Sequence, residues 1–133
     1  MPSAVPFADR SPLARKIAGT DGFVVSVEVN PPTGLDPQKA IDAARLLKAA
    51  GVDVINIADG PRATVRMSNW SLALKVREHV GMDAIVHVCM RDRNILGLQS
   101  DLLAFDALAL RNVVVITGDP PKMGDYPDAT AVF

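Results

Sequence analysis

The sequence has little of several things, and each scarcity excludes a class of protein. Its 133 residues include a single cysteine, Cys89, which excludes an internal disulfide framework and suits a reducing compartment. Only 5% of the residues are aromatic while 49% are hydrophobic, a balance typical of an α/β protein rather than an aromatic-rich all-β one. No apolar run is long enough to span a membrane, and the N-terminus lacks the apolar core of a secretory signal. We therefore expect a cytoplasmic protein with no membrane partner.

An excess of charge and the common nucleotide-binding motifs are also missing. The chain carries 14 basic and 15 acidic residues without a basic patch or arginine-rich run, so nucleic acid is not an expected partner. Neither GxGxxG nor GxxxxGK[ST] occurs, which excludes the Rossmann fingerprint and the P-loop. Any parallel sheet in this chain is then better explained by a barrel of repeated β/α units.

What is present is a regular alternation of strand and helix patterns. Four apolar runs predict strands over 23–29, 53–59, 84–90 and 112–117, the last a β-branched run suited to burial on both faces. Helical spacing and end signals predict helices over 12–18, 36–50, 68–80 and 94–110. The apolar face expected for the last helix consists of Ile95, Leu98, Leu102, Phe105 and Ala109. This β-α-β-α-β-α-β order, with crossovers long enough for helices, predicts a parallel sheet.

The predicted fold is α/β, with parallel β/α units that form the first half of a TIM-type (β/α)8 barrel. A complete barrel needs roughly 250 residues, and four parallel strands alone would leave two open edges. We therefore expect a lead-in segment over 1–22 and a half-barrel over 23–133, truncated after the fourth strand. Such a chain is either a piece of a longer protein, which we favour, or it assembles as a homo-oligomer.

Alternate positions along the strands predict one apolar and one polar face. The apolar sets, expected to pack under helices, are Val25, Val27, Val29, Val86, Val88, Met90, Val114 and Ile116. The second strand is less regular, because Asp53 and Asp59 at its ends share the parity of its isoleucines. The polar face comprises Ser26, Glu28, Asn56, Ala58, His87, Cys89, Thr117 and Asp119. Since the carboxyl ends of parallel strands meet at one rim, we expect Glu28, His87 and Asp119 to share one pocket.

Each of these candidates also has a simpler structural explanation. Glu28 could be an edge carboxylate in water, and His87 a core histidine with satisfied hydrogen bonds. Asp119 could cap the turn at Pro120-Pro121, because aspartate is a favoured turn residue. His87 and Cys89 could bind a metal, but two ligands without a third are weak support, so no metal is predicted. Cys89 is most simply a small buried apolar residue.

Four segments of the sequence resemble methylenetetrahydrofolate reductase, especially the reductase half of bacterial proteins fused to a homocysteine methyltransferase. Together they span nearly the whole chain after the lead-in, and the last of them is the most specific. They read VSVEVNPPTGLD (25–36), NIADGPRATVRMS (56–68), HVCMRDRNILGLQSDLL (87–103) and RNVVVITGDPPKMGDYPDATAVF (111–133).

The resemblance implies a flavin-containing barrel that uses NADH or NADPH and FAD to reduce methylenetetrahydrofolate to methyltetrahydrofolate, in the supply of methyl groups for methionine. On this reading, Glu28 is the general acid that helps open the five-membered ring of the folate to an iminium. Such an acid must stay protonated near neutral pH, which burial beside Val27 and Val29 would favour. The resemblance also implies that Asp119 stabilises the cation that accepts hydride. His87 then contacts the flavin, and Gly118 lets the backbone approach it closely.

The chain departs from the family pattern at several positions. Thr117 stands where many relatives carry an arginine that contacts FAD, and Ala58 stands where others carry a flavin-bonding threonine. The resemblance still implies that Ala58 and Thr117, like Asp119, lie at the cofactor. Ala104 and Ala109 stand where relatives often show glycine. Alanine would be costly at these positions if a positive φ is needed there.

Two other functional interpretations remain open. The 133 residues could be a catalytically silent half-barrel that needs a partner or self-association. They could also belong to another flavin barrel such as a proline-oxidising enzyme, although the GDPPKMGDYP loop argues against it.

Overall fold

A parallel four-stranded sheet in the order β1-β2-β3-β4 organises the molecule. The structure is a computed structural model, and it describes residues 4–19 and 22–132. The strands are β1 (Ser26–Val29), β2 (Val54–Ile57), β3 (Ala84–Cys89) and β4 (Asn112–Ile116). The helices are α1 (Pro12–Gly19), α2 (Gln38–Ala49), α3 (Asn69–Val80) and α4 (Ile95–Ala107). The prediction of parallel β/α units, half of a (β/α)8 barrel, is confirmed.

Most helix ends follow from the local sequence. The Ser11 hydroxyl accepts a hydrogen bond from the Ala14 amide at 2.9 Å and starts α1, as expected of a cap followed by proline. Gly51 and Gly81 stop α2 and α3 with φ of 85° and 63°, values that glycine adopts at little cost. The start of α2 differs by one residue from the prediction, because Pro37 takes the cap position while Asp36 accepts from the Gln38 amide at 2.9 Å.

One face of the sheet, which we call the helix-covered face, is buried under α2 and α3. Burial of branched aliphatic side chains on this face supplies most of the apolar stabilisation, at roughly 1.5–3 kcal/mol for each fully buried side chain. The strand residues that form it are Val29, Ile55, Ile57, Ala84, Val86 and Val88, all of them buried. The helix residues that cover it are Ala40, Ile41, Ala44, Leu72, Ala73 and Val76.

The predicted apolar face of α4 is largely wrong. Phe105 is buried and Leu98 packs against the core, but Ile95 and Leu102 are 65% and 41% exposed. Apolar residues occur all around this helix, so their spacing does not select the face that packs inward. Ala109 lies beyond the end of the helix with φ of 54°, so this position does have the positive φ that glycine would favour, whereas Ala104 is an ordinary helical residue.

β4 is an edge strand, and this corrects the expectation that it is buried on both faces. Val113, Val114 and Val115 are all exposed, because no strand pairs with the far side of β4 within the described residues. A run of β-branched residues fits a strand, but it does not reveal the position of that strand in the sheet.

The register of β4 also corrects its assigned faces. Val114 pairs with His87 and Ile116 with Cys89, so Val114 and Ile116 lie on the open face of the sheet, not on the helix-covered face. The parity of Val113 and Val115 continues to Thr117, which therefore falls on the helix-covered side. The faces of β4 were assigned wrongly because an all-apolar strand shows no alternation of polar and apolar residues. Asp119 reaches the open side only through a turn after the strand ends.

The segment before β1 packs against the amino-terminal end of the sheet. α1 lies close to Ile85 and Asn112, and Lys16 forms an ion pair with Asp53. The other carboxylate oxygen of Asp53 accepts from the Val25 amide at 2.8 Å. None of the helices within residues 4–19 and 22–132 has the length and apolar character needed to cross a membrane.

Candidate functional site

A cavity of 460 Å³ lies at the carboxyl ends of the four strands. Glu28, His87 and Asp119 all line it, as predicted, although each comes from a different strand or strand end. Its other lining residues are Ala58, Asp59, Gly60, Pro61, Arg91, Ile116 and Gly118. The site is therefore built from the ends of all four β/α units, which is where enzymes of the barrel class carry their chemistry.

Glu28 points to the open face of the sheet, at the level of Asn56 on β2. It follows Val27 and precedes the buried Val29, so strand alternation fixes its direction. β1 is the other edge strand, and the Glu28 side chain is exposed, so the burial expected for it is not found in the described chain. Its carboxylate makes no hydrogen bond within the described residues and is free to meet a ligand.

His87 is half-buried and is not a core histidine with satisfied hydrogen bonds. Its imidazole forms no hydrogen bond with the residues that the structure describes, while its backbone carbonyl accepts from the Asn69 side-chain amide at 2.6 Å. Asn69 also donates to the Ile57 carbonyl at 3.3 Å and so joins the ends of β2 and β3. The backbone of His87 is fixed while its ring remains available.

Asp119 does not cap the turn that follows it. Its carboxylate accepts from the backbone amide of Arg62, in the loop after β2, at 2.7 Å. Arg62 has φ of 59°, and the loop enters this turn through Gly60 at φ of 51°. The carboxylate is thus held by a backbone amide from a neighbouring unit, in an orientation that its own turn does not set.

Gly118 is required by both backbone conformation and space. Its φ is 92°, and a Cβ at this position would overlap the sulfur of Cys89. Its backbone lines the cavity wall between Ile116 and Asp119. Thr117 does not reach this cavity; it lines a neighbouring one of 310 Å³.

The loop after β4 is fastened onto the loop after β2. A Cβ on Gly124 would overlap the backbone of Ala63, so these two loops touch closely. The Asp125 carboxylate accepts from the Val65 amide at 2.6 Å. Together with the bond between Asp119 and Arg62, this contact explains why a polar, proline-containing loop is ordered at the rim.

Several charged residues of the site were missed by the sequence analysis. The Asp59 carboxylate accepts from the Cys89 amide at 2.9 Å and from the Arg93 guanidinium at 2.6 Å. Arg93 also pairs with Asp101 of α4 at 2.8 Å, and Arg91 is buried at the cavity wall. For the two arginines, the signal that could have found them is the charged run Arg91-Asp92-Arg93 shortly after a buried strand.

The electrostatic environment of this rim is mixed. Burial raises the pKa of the Cys89 thiol, which keeps it a neutral packing residue beside Gly118. Hydrogen bonding to Asp92 raises the pKa of Arg91, so its positive charge is permanent. Among the described residues, no group of three or more His, Cys, Asp and Glu is arranged to hold a metal ion.

The fold and the site define a class: a parallel β/α enzyme with acid and imidazole groups gathered at the carboxyl ends of its strands. The family comparison is more specific, since the model of the family Methylenetetrahydrofolate reductase matches residues 13–132. The chain therefore belongs to the methylenetetrahydrofolate reductase family, as its motifs indicated. This makes it an oxidoreductase of folate-dependent one-carbon metabolism, with half of the family's TIM barrel in its described fold. A search of curated proteins found no match.

Proposed function

We propose that the protein takes part in the flavin-dependent reduction of methylenetetrahydrofolate to methyltetrahydrofolate, with NADH or NADPH as the reductant and FAD as the cofactor. The observation that carries this proposal is the shared cavity: Glu28, His87 and Asp119 meet at one rim beside the backbone of Gly118. The family supplies folate reduction in general; the cofactor, the reductant and the residue roles are our inference.

The residues around Gly118 suit a flat aromatic cofactor. Gly118 lines the cavity with backbone alone, and Ala58 and Ile116 add apolar surface beside it. The free imidazole of His87 can hydrogen-bond to a ring edge. When bound there, FAD would supply the hydride for the folate. Thr117, which was also expected to contact the cofactor, lies outside this cavity, so we assign it no contact in the proposal.

Glu28 is proposed as the general acid. A proton given to a nitrogen of the folate's five-membered ring would open that ring to an iminium, and an exposed carboxyl at the cavity mouth can reach a substrate there. Asp119 is proposed to stabilise the cation that forms. Its carboxylate is fixed by the Arg62 amide, so it need not reorient as the charge develops.

Replacement of Glu28 by glutamine tests the acid role. Positioned general acids contribute about 10²- to 10⁴-fold, so Glu28→Gln should lower folate reduction by at least about 100-fold. Flavin reduction by NADH or NADPH needs no such acid and should be unchanged in stopped-flow absorbance. The matched control is Glu78→Gln, because Glu78 is exposed on α3 and lies outside the cavity. Full folate reduction by Glu28→Gln would disprove the assignment.

A second candidate is a catalytically silent half-barrel that needs a partner or a second copy. The observation in its favour is the pair of open strand edges, with exposed Val113 and Val115 on β4 and an open groove of 910 Å³ beside β1. Purification distinguishes the two candidates. A yellow protein with about one flavin per chain supports the reductase, and a colourless oligomer supports the silent half-barrel. We also propose a cytoplasmic location, on the ground of the single buried Cys89.

A further inference from the structure

Arg91 is an arginine at the centre of the strand-end rim with contacts to three β/α units. It follows β3, its side chain is buried, and only 7% of the residue is exposed. Burial of a guanidinium is costly unless its donors are satisfied. The partners that it finds therefore indicate what it does.

Those partners lie on both sides of β3. Nη1 donates to the Asp119 carbonyl at 3.0 Å, in the loop after β4, and Nη2 donates to the Gly60 carbonyl at 3.3 Å, in the loop after β2. The Asp92 carboxylate accepts from Nε at 2.9 Å and from Nη2 at 2.6 Å, which fixes the plane of the guanidinium. The backbone amide of Arg91 adds a bond to the Thr117 carbonyl at 3.1 Å.

The two carbonyls held by Arg91 flank the bond between Asp119 and Arg62. Asp119 contributes both the carbonyl that Arg91 binds and the carboxylate that accepts from the Arg62 amide. Gly60 begins the turn that presents this amide, and its carbonyl is the second one that Arg91 binds. The planar guanidinium of Arg91 therefore sets the spacing between the loop after β2 and the loop after β4. The contact between these loops orients the Asp119 carboxylate.

We propose that Arg91 is a positioning residue: its guanidinium holds the Asp119 and Gly60 backbones so that the Asp119 carboxylate faces the cavity in a fixed orientation. Arg91 acts through Asp119. The effect of this positioning on catalysis rests on the proposed function. The positioning itself can be measured without a cofactor or a substrate.

Lysine should not replace this arginine. The guanidinium offers five donors in a rigid plane, which here serve two carbonyls and one carboxylate, while an ammonium is a point charge on a flexible stem. Arg91→Lys keeps the charge and most of the stem, so the fold should survive while the spacing between the two loops relaxes.

The Arg62 amide reports on this positioning through its hydrogen exchange, measured by NMR on the whole chain. Arg91→Lys should speed exchange at Arg62 by about 10- to 100-fold, the range expected from loss of hydrogen bonds to a charged group. The amides of β2 and β3 should exchange as in the parent protein. Arg77→Lys is the matched control, because Arg77 also donates to two backbone carbonyls, those of Leu108 and Ala109, away from the cavity.

A merely structural role gives a different result. If exchange at Arg62 rises only in step with the amides of β2 and β3, Arg91 stabilises the fold as a whole and the proposal is wrong. Arg91→Gln provides a second variant, with the same expected and opposing outcomes, should the lysine variant not fold.

The reaction gives an independent readout. In folate reduction, the loss in Arg91→Lys should fall mainly on kcat and leave KM within about threefold, because a fixed carboxylate acts on charge that develops in the transition state. A loss confined to KM would contradict the positioning role. If the parent protein neither binds flavin nor reduces folate, the proposed function fails, and the exchange experiment still decides the role of Arg91.

Discussion

Gly118 shows at the scale of single residues how backbone geometry limits sequence at the rim. A side chain there meets two costs: φ of 92° disfavours any residue with a Cβ, and the Cβ itself would overlap the Cys89 sulfur. The sequence indicates a turn at Gly118-Asp119-Pro120, but only the packing of β3 against β4 reveals the sulfur beside it.

We expect Gly118→Ala to destabilise the protein by roughly 2–4 kcal/mol, from backbone strain together with overpacking. Urea unfolding followed by circular dichroism would measure this change. The matched control is Gly34→Ala, because Gly34 has no atom near the position of a Cβ and no positive φ, so its stability should change little.

The double variant Gly118→Ala with Cys89→Ala separates the two costs. Without the sulfur, Gly118→Ala should cost less stability, measured against Cys89→Ala, than it costs in the parent protein. The part that remains is the backbone strain. If the single and the double variants of Gly118 were equally destabilised relative to their parents, crowding by Cys89 would be refuted as a cause.

At the scale of secondary-structure elements, an ion pair fixes the position of α1 against the sheet, which the helix pattern alone does not determine. α1 is tied to the sheet through Lys16, whose ammonium pairs with Asp53 just before β2. The hydrogen bond from Lys16, followed by that from the Val25 amide, lowers the pKa of Asp53 below its ordinary value of 3.8. Because the folded-state pKa is lowered, this carboxylate stabilises the fold above pH 3.8, and the contribution is lost as pH falls through the folded-state pKa.

This linkage gives a pH-dependent prediction. Asp53→Asn should lower Tm at neutral pH, and the difference from the parent protein should close as pH falls below 3.8. In the parent protein, the Val25 amide shift followed by NMR should titrate with a midpoint below 3.8, and this titration should vanish in the variant. Asp42→Asn, on exposed α2 surface, is the control. A constant Tm difference down to pH 2 would contradict the assignment.

The whole molecule is unusual for a β/α fold because both edges of its sheet are open within the described residues. The β4 edge strand itself carries exposed apolar side chains, Val113 at 40% and Val115 at 63%. Open edges with apolar neighbours favour association with another chain.

We therefore expect the purified chain to self-associate, with an apparent mass that rises with concentration in analytical ultracentrifugation. Val115→Lys should weaken this association by about tenfold, because it removes one buried valine contact and places a charge on the edge. Val65→Lys is the control, since Val65 is similarly exposed at 58% but lies in the loop after β2 and not on a strand of the sheet. A chain that stays monomeric at all concentrations would contradict the prediction.

Local pattern predicted most of the elements, because helix caps and strand alternation act within a few residues. Ser11, Gly51 and Gly81 mark helix ends by their own chemistry, and these signals do not depend on the rest of the chain. The faces of α4 and β4 were predicted wrongly, because both are apolar on all sides. For such elements only the neighbours that happen to pack against them decide which side is inside.

The sequence by itself determined the candidate site as a set of residue types at strand ends: Glu28, His87 and Asp119, with Gly118 between strand and loop. Their convergence follows from strand parity and from the rule that parallel strands end at one rim, so it could be inferred without coordinates. Only the tertiary structure decided how Asp119 is held. Its partners Arg62 and Arg91 belong to other β/α units, and hydrogen bonds between loops distant in sequence leave no periodic signal in the chain.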